Sequence, residues 1–243
     1  MSTAIRCQGI TKAFREKAVL RGIDLDVTSG ETLVLLGGSG SGKSVLLKHL
    51  NGLLRPDEGS VEVQGTRLET LDEDALVPVR RQVSMLFQQG ALFDSLSVGE
   101  NVAFPLREHR MLPPDKIPAR VAEALAMVGL EKSEQLMPSE LSGGMRKRAA
   151  LARALVLEPR VLLYDEPTTG LDPVVAAKIN HLIRDLQRQL GLTSVVVTHD
   201  LASAFYVADR LAFLYEGRIR FVGTPAEARE TTDEPLHEFL NAS

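Results

Sequence analysis

The chain has 243 residues, of which 44% are apolar and 25% are charged, and its formal net charge is −4. These values exclude a disordered chain and argue against nucleic acid as the main partner. The single cysteine, Cys7, excludes an internal disulfide and favours a reducing cytoplasm, and no window approaches 18 consecutive apolar residues. We therefore predict one domain with a subdomain, without a signal peptide or a membrane span.

The predicted strands fall into two kinds. Residues 4–10 and 18–30 alternate apolar and polar side chains and contain glycine, which is typical of short antiparallel strands. Residues 32–38, 161–166 and 193–200 are continuous apolar runs that end in glycine or polar residues, as strands buried in a parallel sheet do. Ligands bind at the carboxyl edge of such sheets, so these three strands direct their ends to one place.

A glycine-rich segment follows the first buried strand and precedes a helical pattern, and it has the P-loop spacing Gly-x4-Gly-Lys-Ser. Glycine lets the backbone N–H groups turn toward a phosphate chain, and the next helix adds its positive end. Lys43 is expected to reach the β- and γ-phosphates, and Ser44 to donate its hydroxyl oxygen to Mg²⁺. The residues that we assign to phosphate binding are Gly37, Gly38, Ser39, Gly40, Ser41, Gly42, Lys43 and Ser44.

The segment 91–156 lacks the strand patterns of its flanking regions and predicts an inserted helical subdomain. This leaves residues 1–90 and 157–243 for the α/β core. Its apolar residues Val121, Leu125 and Val128 recur at helical spacing. The basic cluster Arg146, Lys147 and Arg148 is interpreted as a solvated helix face without a catalytic role.

Two carboxylates end the second buried strand, in VLLYDE. Asp165 is expected to hold Mg²⁺ through water. Because side chains alternate along a strand, Glu166 points elsewhere and is free to polarise a water molecule against the γ-phosphate. His199 ends the third buried strand, where its imidazole N–H can donate to that phosphate or to the attacking water.

Residues 172–191 predict a helix that faces the core. Asp172 is the expected N-cap, Pro173 occupies the first helical position, and Gly191 follows the last turn. The apolar residues expected on its buried face are Ile179, Leu182, Ile183, Leu186 and Leu190.

The segment LSGGMRKRAALARAL at 141–155 resembles the LSGGQ signature of ATP-binding cassette (ABC) ATPases. The resemblance covers the whole chain, since Phe14, the P-loop, Gln88, the GLD at 170–172 and His199 stand in the family's order. It implies an α/β fold of the P-loop NTPase class, in which a mixed-sheet core carries an N-terminal antiparallel β subdomain and an inserted helical subdomain. It also implies Mg²⁺-dependent ATP hydrolysis.

The resemblance assigns further roles. Phe14 would stack on adenine, and Gln88 would complete the Mg²⁺ shell with Ser44 and Asp165. Lys43, Glu166 and His199 would be the catalytic residues.

The signature, Leu141 to Met145, would bind the nucleotide held by a second subunit. Ser142 is a natural N-cap, and the N–H groups of Gly143 and Gly144 would meet the γ-phosphate, so a head-to-tail homodimer with two shared ATP molecules is expected. Met145 stands where the family usually has glutamine, and methionine cannot donate a hydrogen bond to the ribose. We expect altered nucleotide geometry rather than loss of hydrolysis; Gly38 and Val45 also depart from common choices.

The segment 87–109, with LSGGM, resembles the ATPases of Mla-type transporters, which move phospholipids between bacterial membranes. That resemblance implies an integral-membrane permease (MlaE-like), an MCE protein (MlaD-like) and a STAS-domain protein (MlaB-like) as partners. It places the chain on the cytoplasmic face of the inner membrane, bound through the permease. The tail at 233–243 is shorter than in several members of that family. Docking of a STAS-domain protein through a C-terminal extension is therefore left undecided.

An ATPase of translation or DNA repair would need a second cassette or a coiled-coil insertion, and the sequence has neither. An importer ATPase for amino acids or other small solutes shares every motif and stays open, as does a nucleotide-gated module that does not hydrolyse ATP. The segment from Gln89 to His109, which should face the permease, discriminates between the transporters.

Overall fold

The structure is a computed structural model that describes residues 2–241. The predicted domain is 1–243, and its residues Met1, Ala242 and Ser243 lie outside the described residues. The N-terminal part forms a four-stranded antiparallel sheet. Strand β1 continues past the predicted 4–10 because its register shifts near Gly9, which has φ 59°, without ending the pairing, whereas β2 ends at Thr28, before the predicted end at Gly30. The strands of this sheet are β1 (Thr3–Phe14), β2 (Lys17–Thr28), β4 (Glu58–Val63) and β5 (Thr66–Arg67).

The apolar runs form the main, six-stranded sheet. Its strands are β3 (Thr32–Leu36), β6 (Val83–Leu86), β7 (Val161–Asp165), β8 (Thr193–Val197), β9 (Arg210–Tyr215) and β10 (Arg218–Gly223). The order is β10-β9-β3-β8-β7-β6, with every pair parallel except β9 with β10. Strands β3, β7 and β8 are buried throughout, as predicted, but they end earlier than predicted because the residues that follow leave the sheet as loops.

Helices pack on one face of the main sheet, and the first helix packs on the other face together with the antiparallel sheet. The helices are α1 (Lys43–Leu50), α2 (Glu73–Gln82), α3 (Val98–Glu108), α4 (Ile117–Met127), α5 (Gly143–Leu155), α6 (Pro173–Leu190), α7 (Leu201–Val207), α8 (Pro225–Arg229) and α9 (Glu234–Asn241). Successive side chains of β3 point to opposite faces of the main sheet, so they belong to two separate hydrophobic cores. Val34 and Leu36 join the core of α3 to α6, whereas Leu33 and Leu35 join that of α1 and the antiparallel sheet.

The helical segment contains α3, α4 and α5, which pack against one another. All three lie within the predicted insert 91–156. Val121, Leu125 and Val128 are buried, as their spacing predicts. Helix α5 also lies against β6 and α6, so this segment is joined to the strand ends of the main sheet.

Helix α6 confirms the predicted caps. The Asp172 carboxylate accepts hydrogen bonds from two backbone N–H groups, each at 3.0 Å, and Gly191 adopts φ 64° past the last turn. The predicted face is buried at Ile179, Ile183 and Leu186, but the inclusion of Leu190 is wrong, because this last helical residue is 46% exposed. Within 2–241, no helix has the length and apolarity that crossing a bilayer requires.

Cys7 lies in β1 and is fully buried, and burial, assisted by the negative charges of Asp26 and Asp24, raises the pKa of its thiol to about 12. At pH 8 only about one native thiol in ten thousand is then thiolate, the form that reacts. We expect iodoacetamide to label the native chain at least about a hundredfold more slowly than the urea-unfolded chain. Mass spectrometry of timed samples measures both rates; equal rates would contradict the burial of Cys7.

Candidate nucleotide-binding and hydrolytic site

The loop between β3 and α1 has the conformation that phosphate binding requires. It curls through Gly37, Gly40 and Gly42, whose φ angles are 156°, 76° and 107°. The backbone at Gly37 comes so close to β9 that a Cβ atom there would lie 2.4 Å from the carbonyl oxygen of Leu214. The first N–H groups of a helix have no partners within the helix, so the start of α1 forms an anion site at the end of this loop.

Gly37→Ala is expected to lower the free energy of unfolding of the nucleotide-free chain by about 1–3 kcal/mol, because the new Cβ would collide with backbone. Gly38→Ala is the matched control, since a Cβ at Gly38 would meet no atom within 4 Å. Urea unfolding followed by circular dichroism measures both variants. Equal stabilities of the two variants would show that the close approach of Gly37 to β9 is wrong.

Lys43 is buried at the inner side of the loop. Its Nζ donates hydrogen bonds to the carbonyl oxygens of Gly37, at 2.8 Å, and Gly38, at 2.9 Å. Burial lowers the pKa of Lys43, and the nearby carboxylates of Glu166 and Asp165 oppose this effect. The ammonium group thus already lies within the loop, where phosphate oxygens can replace carbonyl oxygens as stronger, charged acceptors.

The fold brings together Ser44, at the start of α1, and Asp165, at the end of β7. The Ser44 hydroxyl donates to the Asp165 carboxylate at 2.7 Å, across 121 positions of sequence. Among residues 2–241, no three His, Cys, Asp or Glu side chains gather into a metal site of their own. Mg²⁺ does not need such a cluster, because it takes one or two protein oxygens together with water and phosphate oxygens. The two hard oxygen ligands of Ser44 and Asp165 fit that ion.

Glu166 lies just beyond β7 and is 9% exposed. The predicted reason for its direction is wrong: Glu166 is outside the strand, and a left-handed backbone, φ 50°, orients its side chain. Its carboxylate lies 3.0 Å from Nδ1 of His199 and accepts from the Thr169 hydroxyl at 3.1 Å. Because a carboxylate only accepts, Nδ1 carries the proton in this contact. His199 therefore pairs with Glu166, and sequence reasoning missed Thr169.

A cavity of about 700 Å³ contains the P-loop and the predicted hydrolytic residues. Its lining residues are Val19, Gly38, Ser39, Gly40, Gly42, Lys43, Ser44, Val45, Gln88, Glu166, His199 and Phe239. Phe14, at the end of β1, does not line it; this ring is 45% exposed with the Lys12 ammonium 5.8 Å from its centre, and its stacking on adenine stays a prediction. Val19 and Phe239 had no signal in the sequence.

The signature residues lie at the start of α5. The Ser142 hydroxyl accepts from the Met145 N–H at 3.3 Å, so the predicted N-cap is confirmed. Ser142 and Gly143 are exposed, Leu141 and Gly144 are buried, and Met145 is half-buried. None of the five is among the described residues that line the cavity. This helix start therefore lies outside the cavity that contains the P-loop, and its binding of a phosphate stays a prediction.

The interpretation of residues 146–148 as a solvated face is wrong for Lys147, which is 6% exposed. Its Nζ donates to the carbonyl oxygens of Gln88 and Glu166. Arg146 is exposed, whereas Arg148 is half-buried and donates to the carbonyl oxygens of Val128 and Gly129. Two buried cations, Lys43 and Lys147, thus lie near the carboxylates of Asp165 and Glu166. Burial lowers the pKa of each lysine, and the two carboxylates oppose this effect.

Comparison with known proteins places this site in a family. The family model described as "ABC transporter" matches residues 20–169. The chain is 45% identical over 242 residues to the "probable ribonucleotide transport ATP-binding protein mkl" of Mycobacterium leprae, covering 99% of this chain and 70% of that protein. It is 40% identical over 225 residues to the "intermembrane phospholipid transport system ATP-binding protein MlaF" of Escherichia coli, covering 93% and 84%.

A solved structure supports the same relation. The ATP-binding cassette MJ0796, a dimer in a post-hydrolysis state bound to ADP and phosphate, aligns with a TM-score of 0.83 and 33% identity. The alignment covers 90% of this chain and 98% of the other. The family match spans more than half of the chain and includes its P-loop, signature and carboxylate pair. The protein is therefore an ATP-hydrolysing subunit that belongs to the ABC transporter family.

Proposed function

We propose that two copies of this chain bind ATP between them and that the resulting cycle of closure and opening energises phospholipid transport between bacterial membranes. The chain lies on the cytoplasmic face of the inner membrane, bound to an integral-membrane permease (MlaE-like). An MCE protein (MlaD-like) and a STAS-domain protein (MlaB-like) are the proposed further subunits.

The positions of two candidate phosphate-binding surfaces support the proposed dimer. The chain has two candidate anion sites, the P-loop and the capped start of α5, and of these two the P-loop lines the cavity that contains Glu166. A second phosphate-binding surface outside that cavity is explained if it meets ATP held by another copy. The dimeric state of the similar cassette MJ0796 supports this arrangement. ATP then joins the subunits, and hydrolysis loosens them.

Hydrolysis in this proposal is in-line attack of water on the γ-phosphate. Glu166 orients and polarises the water. His199, whose Nδ1–H is held by the Glu166 carboxylate, is the proposed donor to the γ-phosphate, and that donor is then Nε2–H of the imidazolium, which carries a proton on both ring nitrogens. Lys43 neutralises charge on the phosphates. Ser44, Asp165 and Gln88 are the proposed ligands of Mg²⁺, which adds charge neutralisation when it is bound.

An exposed aromatic patch supports docking to a permease. We define the patch as Phe93, 44% exposed, Phe104, 38% exposed, and Arg153. The two rings lie 4.8 Å apart, and the Arg153 guanidinium lies 6.0 Å from the Phe93 ring centre. Arg153 also donates to the carbonyl oxygens of Gly90 and Ala91, which ties the segment after Gln88 to helix α5. Exposed apolar side chains on a braced segment are typical of a protein-binding surface.

Purification of the native complex tests this proposal. We expect the wild-type chain to co-purify with a membrane permease and the double variant Phe93→Ser, Phe104→Ser to lose it while ATP affinity stays within about threefold. Leu53→Ser is the control, because Leu53 is 46% exposed in the loop after α1, outside the patch. Retention of the permease by the double variant would contradict docking through the patch.

Cargo separates the two candidate functions. The name of mkl, a ribonucleotide transport protein, favours the small-solute alternative, whereas that of MlaF favours phospholipid. We expect ATP turnover of the reconstituted complex to rise in vesicles whose phospholipid the permease can extract, and not on addition of ribonucleotides. Stimulation by ribonucleotides alone would make the small-solute alternative correct.

A further inference from the structure

Lys147 is an unusual side chain to find buried in a helix. Lysine is almost never buried unless its charge is paired or hydrogen-bonded, yet Lys147 is 6% exposed. Its ammonium group donates to the carbonyl oxygen of Gln88, which follows β6, and to that of Glu166, at 3.3 Å, which follows β7. One cation on α5 therefore joins the ends of two neighbouring strands of the main sheet.

The two carbonyl groups belong to residues whose positions matter for hydrolysis. Glu166 has a left-handed backbone, which is unfavourable for a residue with a Cβ atom and persists only when its surroundings hold it. Its N–H donates to the Val197 carbonyl at 2.9 Å, and its carbonyl accepts from Lys147, so both of its backbone groups are held. Its carboxylate is thereby directed to His199. The second carbonyl, that of Gln88, belongs to a residue that lines the same cavity.

We propose that Lys147 is a positioning residue for ATP hydrolysis, whose ammonium group holds the main chain of Gln88 and Glu166 in the arrangement that turnover requires. The inference rests on the proposed role of Glu166 as the group that orients water. Lys147 follows the signature on the same helix. A shift of α5 therefore moves the ammonium group that holds both Gln88 and Glu166. The signature meets the partner's ATP in the proposed dimer, so Lys147 connects that contact to this chain's own hydrolytic groups.

Three variants of the full-length chain separate positioning from packing. Lys147→Met keeps the length of the side chain but removes its positive charge and its hydrogen-bond donors. Lys147→Arg keeps the positive charge and the donors. Arg148→Met is the matched control, because Arg148, the next residue of α5, also donates to two carbonyl groups, those of Val128 and Gly129, away from the cavity. ATP turnover, ATP affinity and the thermal midpoint are measured for each variant.

We expect Lys147→Met to lower kcat about tenfold to a hundredfold, as a misplaced catalytic group does, with the ATP dissociation constant within about threefold of wild type. Lys147→Arg should recover kcat to within about threefold of wild type. The kcat of Arg148→Met should also stay within about threefold of wild type, even if the thermal midpoint of that variant falls. A Lys147→Met kcat within about twofold of wild type would overturn the inference. So would an equal loss of kcat in Arg148→Met at equal thermal midpoints. Glu166→Gln serves as the reference: wild-type turnover in that variant would overturn the role of Glu166 itself.

Discussion

Glu166→Gln is expected to lower ATP turnover by about 10²- to 10⁴-fold, the usual contribution of a general base, while ATP stays bound. Glutamine keeps the size of the side chain and its contacts with His199 and Thr169, but it cannot accept a proton as a carboxylate does. Phosphate release measures turnover, and a filter assay with labelled ATP measures binding.

A second glutamate provides the control for this experiment. Glu158 also has a left-handed backbone, φ 53°, but its side chain is 76% exposed and pairs with Arg120. Glu158→Gln should keep turnover within about twofold, because it alters only an exposed ion pair. Equal turnover of the Glu166 and Glu158 variants would contradict the assignment of Glu166.

Lys43→Ala is expected to weaken ATP binding by about tenfold to a hundredfold for each phosphate hydrogen bond that it removes, since a charge-assisted bond contributes about 1.5–3 kcal/mol. The ammonium group of Lys43 is hydrogen-bonded to carbonyl oxygens within the loop, where phosphate oxygens would replace them as acceptors. Calorimetric titration with ADP and a non-hydrolysable ATP analogue measures it.

Lys48→Ala is the control for Lys43→Ala, because Lys48 lies in the last turn of the same helix, away from the loop. We expect the Lys48 variant to bind both nucleotides with wild-type affinity. Unaltered binding by Lys43→Ala would show that the P-loop assignment is wrong.

Features set by local chemistry were predictable from the sequence. The buried strands, the P-loop glycines and the caps at Ser142 and Asp172 each depend on a few adjacent residues. Their patterns of apolarity, φ preference and hydrogen-bonding capacity can therefore be identified without knowing the tertiary fold.

The charge of Lys147 and its position in the helix indicate opposite environments, and the prediction of a solvated face, which follows from the charge, is wrong. Lys147 lies three residues after Gly144 and four before Leu151, and both of those residues are buried. Helical spacing therefore placed Lys147 on the buried face. Its acceptors lie 59 and 19 positions away in the chain, so no local pattern could identify what would hold its charge.

The arrangement around Glu166 was only partly predictable. Its place at the sheet edge followed from the buried strand, but its left-handed backbone and its contact with His199, 33 positions away, depend on the tertiary fold. A strand pattern gives the direction of side chains only as far as the strand continues, and β7 ends at Asp165.

The proposed clamp of ATP between the P-loop of one copy and the signature of another is tested most directly by cross-linking. Ser39 and Ser142 are exposed and Cys7 is buried, so the variant Ser39→Cys, Ser142→Cys, Glu166→Gln offers two reactive thiols. With Mg²⁺ and ATP, a short bismaleimide should join the new thiol in the P-loop of one copy to the new thiol in the signature of the other. The covalent dimer should vanish without ATP. A chain that binds ATP yet gives only monomers, or intramolecular links, would contradict the account.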